Sequence, residues 1–389
     1  VRSVFTEYFE VLEVIDLGDT KLFEASVLPA IVIARRRQTA KLSPSYAVPF
    51  VRIYSQSKES FDPDDSPHIR SSIVEALEAG VDGLVQVPEG RFSITHGHLY
   101  ITRGSDNLWS LASSEESRFL KMIRKRSDRT VGEVAFVRVG IKTTADEVFI
   151  RTNWTSLPVK EQPEPDLLRP ILCHEDIQLW TLARDYIPAK SVLYPHRAAQ
   201  GCKVVVDISL YPRAQAYLNR FRSRLEARRY LADAGRRWYE IWVPQDPGAW
   251  RLPKLVFPDI SPEPRFCFVD QDFIVNGDCY WLTLRPGIRE DMLYLILAVA
   301  NSTLLTRFHD AAFTNRLYSG RRRYITQYVT NYPLPPLETS VARQIVNLTK
   351  KLVKEIRQGA SLASCKNMLS NLDVLVNEAY GIEANGVLP

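Results

Sequence analysis

Cysteine is scarce in this chain. The five cysteines among 389 residues, Cys173, Cys202, Cys267, Cys279 and Cys365, are odd in number and widely spaced. That excludes a disulfide framework and a CxxC metal site, and it fits a reducing, cytoplasmic setting. No run approaches the roughly 20 apolar residues a membrane span needs, and the opening residues do not read as a signal peptide. The 17 glycines never gather into a phosphate-binding loop. Leu17-Gly18-Asp19 reads as a lone turn. His96 and His98 flank Gly97 without an acidic or cysteine partner at ligand spacing, so no metal is expected. Asp259 and Glu263 lie close together, but Pro258, Pro262 and Pro264 make their segment a loop. No catalytic, cofactor-binding or metal-ligating set is expected in this chain.

The remaining composition is that of an ordinary globular protein, with 45% hydrophobic and 24% charged residues, long enough for two or three domains. A net charge of +5 permits nucleic-acid binding without demanding it. The chain does not begin with Met. Its opening reads as the end of a helix, Val1–Glu10, then two apolar strands, Val11–Gly18 and Val27–Ala34. Two strands do not make a stable domain, so this pair is expected to be the edge of a sheet that lies upstream, and the chain a fragment. A further strand is expected at 48–54, an Asp/Pro loop from Phe61 to Pro67, and short helices at 69–79 and 114–126. From Val131 the texture turns to short strands: Val134–Val139, Glu147–Arg151, Leu168–Leu172, Lys203–Ile208, Lys254–Phe257 and Cys279–Leu284. Helices are expected at 213–231 and 290–308. Two more, at 339–357 and 362–379, follow the stiff Asn331-Tyr-Pro-Leu-Pro-Pro-Leu stop.

Three basic features carry the functional signal. The 213–231 helix holds Arg213, Arg220, Arg222, Arg224, Arg228 and Arg229 against one acid, Glu226, with Tyr217, Leu218, Phe221 and Leu225 on an apolar face. Arg236 and Arg237 follow, interleaved with Trp238, Tyr239, Trp242 and Trp250. Cations beside aromatics suit phosphate and base contacts, although an isolated helix of this kind is more often a solvated face. Arg316-Leu-Tyr-Ser-Gly-Arg321-Arg322-Arg323 is either a phosphate clamp or an exposed loop. Gly140-Ile-Lys142-Thr143-Thr144 can present donors to a phosphate, or be a plain hairpin.

In order along the chain, these segments resemble the C-terminal half of the gamma-class adenine-N6 DNA methyltransferases, which include the Taq-type and type IIG restriction–modification enzymes. Val14–Ile33 is similar to the last strand pair of that family's catalytic domain, and Gly140–Ile150 to the start of its target-recognition domain. Leu168–Trp180 resembles the block that follows. There, Cys173, His174, Glu175 and Asp176 depart from the family's Arg-Gly-Arg-Asp and remove two cations. Most specific are Tyr217–Arg228, then Trp238-Tyr-Glu-Ile-Trp242, then Pro253-Lys-Leu-Val-Phe-Pro-Asp-Ile-Ser261. Asp278–Leu282, Ala298–Ser302, Tyr332–Pro336 and Leu372–Gly381 complete the series. The family's glycine motif and its Asn-Pro-Pro-Tyr loop do not occur here.

The resemblance implies an α+β chain: a mixed strand and helix target-recognition domain with a C-terminal helical segment, preceded by a remnant strand pair of an α/β methyltransferase sheet. The implied divisions are 1–57, the catalytic remnant; 58–130, a connecting segment; 131–337, the recognition domain; and 338–389, a helical hairpin. The implied function is sequence-specific binding of double-stranded DNA, held against an upstream methyltransferase domain that binds S-adenosylmethionine. A scaffold without DNA affinity is the alternative. Arg220, Arg222, Arg224, Arg228, Arg321, Arg322 and Arg323 are the expected phosphate contacts. Lys142, Thr143 and Thr144 would lie near the target base. Base-reading residues are expected on loops within 150–215 and 262–278. The charge between 213 and 324 is expected to converge on one concave face.

Overall fold

The computed structural model describes residues 2–18, 20, 29–37, 45–55, 67–104, 109, 111–199, 201–313, 317 and 320–382. Of the loop expected from Phe61 to Pro67, all but Pro67 lies outside this set, as do Arg316, Tyr318 and Ser319. The chain divides into two compact units, one of Val1–Arg126 with Leu304–Arg323, the other of Ser127–Thr303 with Tyr324–Val387.

The first unit is built on a six-stranded sheet. Its strands are β1 (Phe9–Asp16), β2 (Ala30–Arg36), β3 (Ser45–Ser55), β4 (His68–Ile69), β5 (Gly83–Val87) and β6 (Gly90–Thr102), in the order β2-β1-β3-β6-β5-β4. The expected strand pair is present: β1 and β2 run antiparallel, with Val14 opposite Val32. Its sheet, however, continues within the chain. β1 pairs in parallel with β3, and β3 pairs with β6 over the whole stretch from Ser45↔Thr102 to Ser55↔Phe92. Residues 1–57 and 58–130, separated in the sequence reading, therefore share one sheet. Alternation along β3 and β6 sends Val51, Ile53, Phe92 and Ile94 into one apolar cluster and Val48, Phe50, Leu99 and Ile101 into another. The edge strand β2 buries none of its residues, and Ile31, Val32 and Ile33 are all exposed. The helix Ser114–Lys125 opens with a capping box between Ser113 and Glu116. Glu116 also receives Arg52 at 2.7 and 2.9 Å.

The second unit holds two sheets around a large core. The five-stranded one runs in the order Trp180–Thr181, Cys267–Val269, Lys254–Pro258, Cys279–Leu284, Ala135–Val139. The four-stranded one runs Ile274–Val275, Leu168–Leu172, Lys190–Leu193, Ile150–Arg151. Every residue of Lys254–Pro258 is buried, as expected of an apolar central strand. Even Lys254 is fully enclosed. Its ammonium donates to the carbonyls of Trp250 and Gln271 at 2.7 and 2.8 Å, and burial lowers its pKa to about 8. Trp250 stacks near Trp281, with centroids 4.5 Å apart. The helices Asp291–Ala300, Ser340–Arg357 and Lys366–Ala379 pack together.

Several expected elements differ. The helix at 290–308 is two, Asp291–Ala300 and Thr303–Phe313, and that at 69–79 is confined to Ile73–Glu78 after the strand His68–Ile69. Glu147–Arg151 is mostly one helical turn, Asp146–Phe149, before a two-residue strand. The single helix at 213–231 is three short ones, Pro212–Asn219, Arg222–Glu226 and Arg229–Asp233. Tyr217, Leu218, Leu225 and Leu231 still face the core, but Arg228 does too. A buried guanidinium needs acceptors, and Arg228 finds two outside these helices, Thr143 O and Trp238 O.

Candidate nucleic-acid interface

The segment Gly140–Thr144 crosses the Asn276–Asp278 turn at close range. Ile141 N donates to Val275 O at 2.8 Å and Gly140 N to Cys279 O at 2.8 Å. A Cβ on Gly140 would stand 2.0 Å from Asn276 O, and one on Gly277 2.6 Å from Ile141 O, so both positions require glycine. This crossing forms the floor of a 550 Å³ cleft lined by Lys142, Thr144, Asp146, Asn276 and Asp278, among others. A second cleft of 510 Å³ shares Asp146, Glu147, Asn276 and Asp278 and adds Arg151 and Lys190.

Lys142 and Thr144 are exposed on the cleft wall. Thr143 is fully buried; its hydroxyl donates to Asp146 and accepts from Ala145 N, so it is unavailable to a ligand. That corrects its expected placement near a base. Thr144 has a φ of 60°, in the left-handed region that costs a non-glycine residue energy. Tyr230 OH donates to its Oγ1 at 2.7 Å and Arg228 at 3.3 Å, which holds the strained turn.

The structure also corrects the role expected of Arg228. The residue is 7% exposed, and its guanidinium donates to Thr143 O at 2.9 Å, Trp238 O at 2.6 Å and Leu225 O at 3.1 Å. It is an internal brace, with no reach to a phosphate. Arg220, Arg222 and Arg224 are each more than half exposed, yet each meets a carboxylate: Glu161 at 2.6 Å, Glu226 at 2.8 Å, and Glu147. Arg213 and Arg236 pair with Glu164 and Glu240. The cations that are prominent in the sequence are thus largely neutralised by acids brought in from elsewhere. Arg321, Arg322 and Arg323 belong to the other unit. There Arg322 pairs with Asp310 at 2.6 Å, while Arg321 is exposed.

Cys173, Glu175 and Asp278 bring ligand atoms within 4.8 Å of one another. Burial and the nearby Asp278 push the Cys173 thiol up to about 12, and Glu175 is engaged by Lys190. All five cysteines are free, and Cys202 alone is exposed. No described helix is long and apolar enough to cross a membrane.

Two features of this region were not singled out from the sequence. Asn276-Gly277-Asp278 lines both clefts through at least one of its residues, and its Asn-Gly pair is a recognisable turn signal. The second is a two-stranded ribbon, His196–Ala199 paired with Cys202–Val205. Only its second strand was expected, and then as part of Lys203–Ile208.

With that geometry in view, the relatives of the chain are type II methyltransferases. It is 35% identical over 385 residues to the type II methyltransferase M.BanIII of Aneurinibacillus aneurinilyticus, a match covering 98% of this chain and 65% of that protein. It is 24% identical to M.PaeR7I of Pseudomonas aeruginosa, covering 86% of this chain and 52% of that one. Identity to M.XhoI of Xanthomonas vasicola is 22%, covering 92% and 58%. The chain therefore spans between about half and two thirds of the length of these relatives. No family profile matches it. Among solved structures, the type IIG restriction endonuclease BpuSI gives a TM-score of 0.39 at 13% identity, over 100% of this chain and 45% of that one. A likeness at that level carries no argument.

Proposed function

We propose that this chain is the DNA target-recognition part of a site-specific adenine-N6 DNA methyltransferase of a restriction–modification system. The observation that carries the reading is the likeness to a type II methyltransferase along nearly the whole chain. The choice of adenine N6 rests on the ordered motifs from Gly140 to Gly381. Methylating a base inside a duplex requires rotating it out of the stack, at a cost of a few kcal/mol. Contacts to phosphates and base edges offset that cost and select the site.

In this reading, Lys142 and Thr144 meet the backbone beside the target base. Arg321 and, less strongly, Arg220, Arg222, Arg224, Arg322 and Arg323 contact phosphates. The paired arginines contribute less because each must leave a carboxylate behind. S-adenosylmethionine belongs to the parent enzyme's other part. The described residues offer it no glycine-rich strand–turn–helix cradle.

Binding of a random 30-base-pair duplex, followed by fluorescence anisotropy from low to moderate salt, tests the reading. Affinity should fall linearly on a log–log plot, with a slope of about 0.9 per phosphate contact. Arg321→Ala should lower that slope by roughly 1. Absence of duplex binding at low salt would leave the scaffold alternative in its place.

A further inference from the structure

The ribbon His196–Ala199/Cys202–Val205 is one of two isolated strand pairs in the second unit, and the longer of them; the other joins Arg129–Thr130 to Pro333–Leu334. Its register runs from His196↔Val205 to Ala199↔Cys202, and no third described strand joins it. Its base is fixed to the core. Val206 N donates to Pro195 O at 3.0 Å, Tyr239 OH to Val206 O at 2.9 Å, and Ile241 N to His196 Nε2 at 3.2 Å. Tyr194 OH reaches Pro244 O at 2.6 Å. Beyond that base, none of the described residues from Arg197 to Val205 is buried.

Arg197 and Ala198 are exposed in succession on one strand, and Cys202 and Lys203 on the other, so the outer ribbon is wet on both faces. A ribbon of this kind buries too little to stabilise itself. It is held out by its base. Among the described residues, neither the Arg197 nor the Lys203 side chain has a hydrogen bond or ion pair, in contrast to Arg220, Arg222, Arg224 and Arg236. Among the described residues of the tip, Ala198, Ala199, Gly201 and Cys202 are all small.

We infer that this ribbon enters the major groove of the target duplex, with Arg197 and Lys203 contacting base edges or flanking phosphates. The inference rests on the recognition reading above and names the element that reads. Two strands about 5 Å apart with small side chains fit a groove roughly 12 Å wide, which admits a two-stranded ribbon. Arg and Lys reach the O6 and N7 acceptors of guanine there, and alanine methyls pack against thymine methyls.

Cys202 supplies the test, because the other four cysteines are buried. The chain is treated with a maleimide, with and without a random 30-base-pair duplex at low salt. Alkylation of Cys202 should slow at least about fivefold on duplex binding, as expected where a bound partner excludes the reagent. Arg197→Ala/Lys203→Ala should weaken duplex binding about tenfold or more with the melting temperature unchanged, in the range expected for loss of two direct contacts. If the wild type binds duplex while Cys202 reacts at its free rate and the double variant binds normally, the ribbon is not the reader and the recognition reading stands. Equal protection by single-stranded DNA or by polyglutamate overturns the groove assignment. No duplex binding by the wild type removes both.

Discussion

The helical segment 212–233 and the ribbon 196–205 lie in the same unit and carry opposite lessons about charge. The first concentrates six arginines and dominates any reading of the sequence. In the folded protein one of them is an internal brace, and Arg213, Arg220, Arg222 and Arg224 each face a carboxylate. The second has only Arg197 and Lys203, neither paired with an acid among the described residues. Density of cations along a chain measures what could be free. Fold geometry decides what is.

The comparison can be broken most sharply at Arg228. Arg228→Ala removes the guanidinium bonds to Thr143 O, Trp238 O and Leu225 O, empties a buried site and should cost about 3 kcal/mol or more of stability, read from the urea midpoint. A loss under roughly 1 kcal/mol would return Arg228 to the surface set. Arg228→Lys should restore only part, because one ammonium does not span Thr143 O and Trp238 O as the planar guanidinium does.

Next in size is the acid response at the ribbon's base. Burial, then Arg236 and Lys203, push the His196 pKa down to about 3. The folded state holds this imidazole neutral, whereas the unfolded chain takes up a proton below about pH 6.5. Stability from this group is therefore complete above pH 6.5 and falls as the medium is acidified, by about 2 kcal/mol at pH 5. Urea midpoints at pH 7 and pH 5 measure the difference, and His196→Gln should flatten it. An equal loss in the variant would assign the acid sensitivity elsewhere.

Smallest are the exposed ion pairs. Arg222→Ala and Arg224→Ala should each change stability by under about 0.5 kcal/mol, since exposed pairs contribute little. Duplex affinity should drop less than about threefold, because each release from a carboxylate offsets part of the phosphate attraction. If these variants weaken binding more than the ribbon variant does, the contrast between the two regions is reversed.

The same contrast shows what could be read in advance. Lys254–Pro258 and Cys279–Leu284 were legible because buried strands are continuous apolar runs. The helices at 340–357 and 366–379 were legible from their periodicity. The inward turn of Arg228 was not, since one of its acceptors, Thr143 O, lies 85 residues away in sequence. The pairing of Arg220 with Glu161 spans 59 residues and carries no local signal. Of the candidate site, Lys142, Thr143 and Thr144 all line one cleft, but burial of the Thr143 side chain depends on a turn whose shape the sequence does not declare. The ribbon's first strand is four residues with two alanines, too short and too bland to register, and only Gln200-Gly201 hinted at a turn.

How the ribbon is mounted has an evolutionary corollary. Its two ends are tied to Tyr239, Ile241 and each other, and of the described residues between them only Val205, next to the base, packs against the hydrophobic core. Mutations from position 197 to 203 are thus nearly silent for folding. Such a segment can diversify rapidly, or be transplanted between homologues as a cassette, while the scaffold beneath it stays under purifying selection.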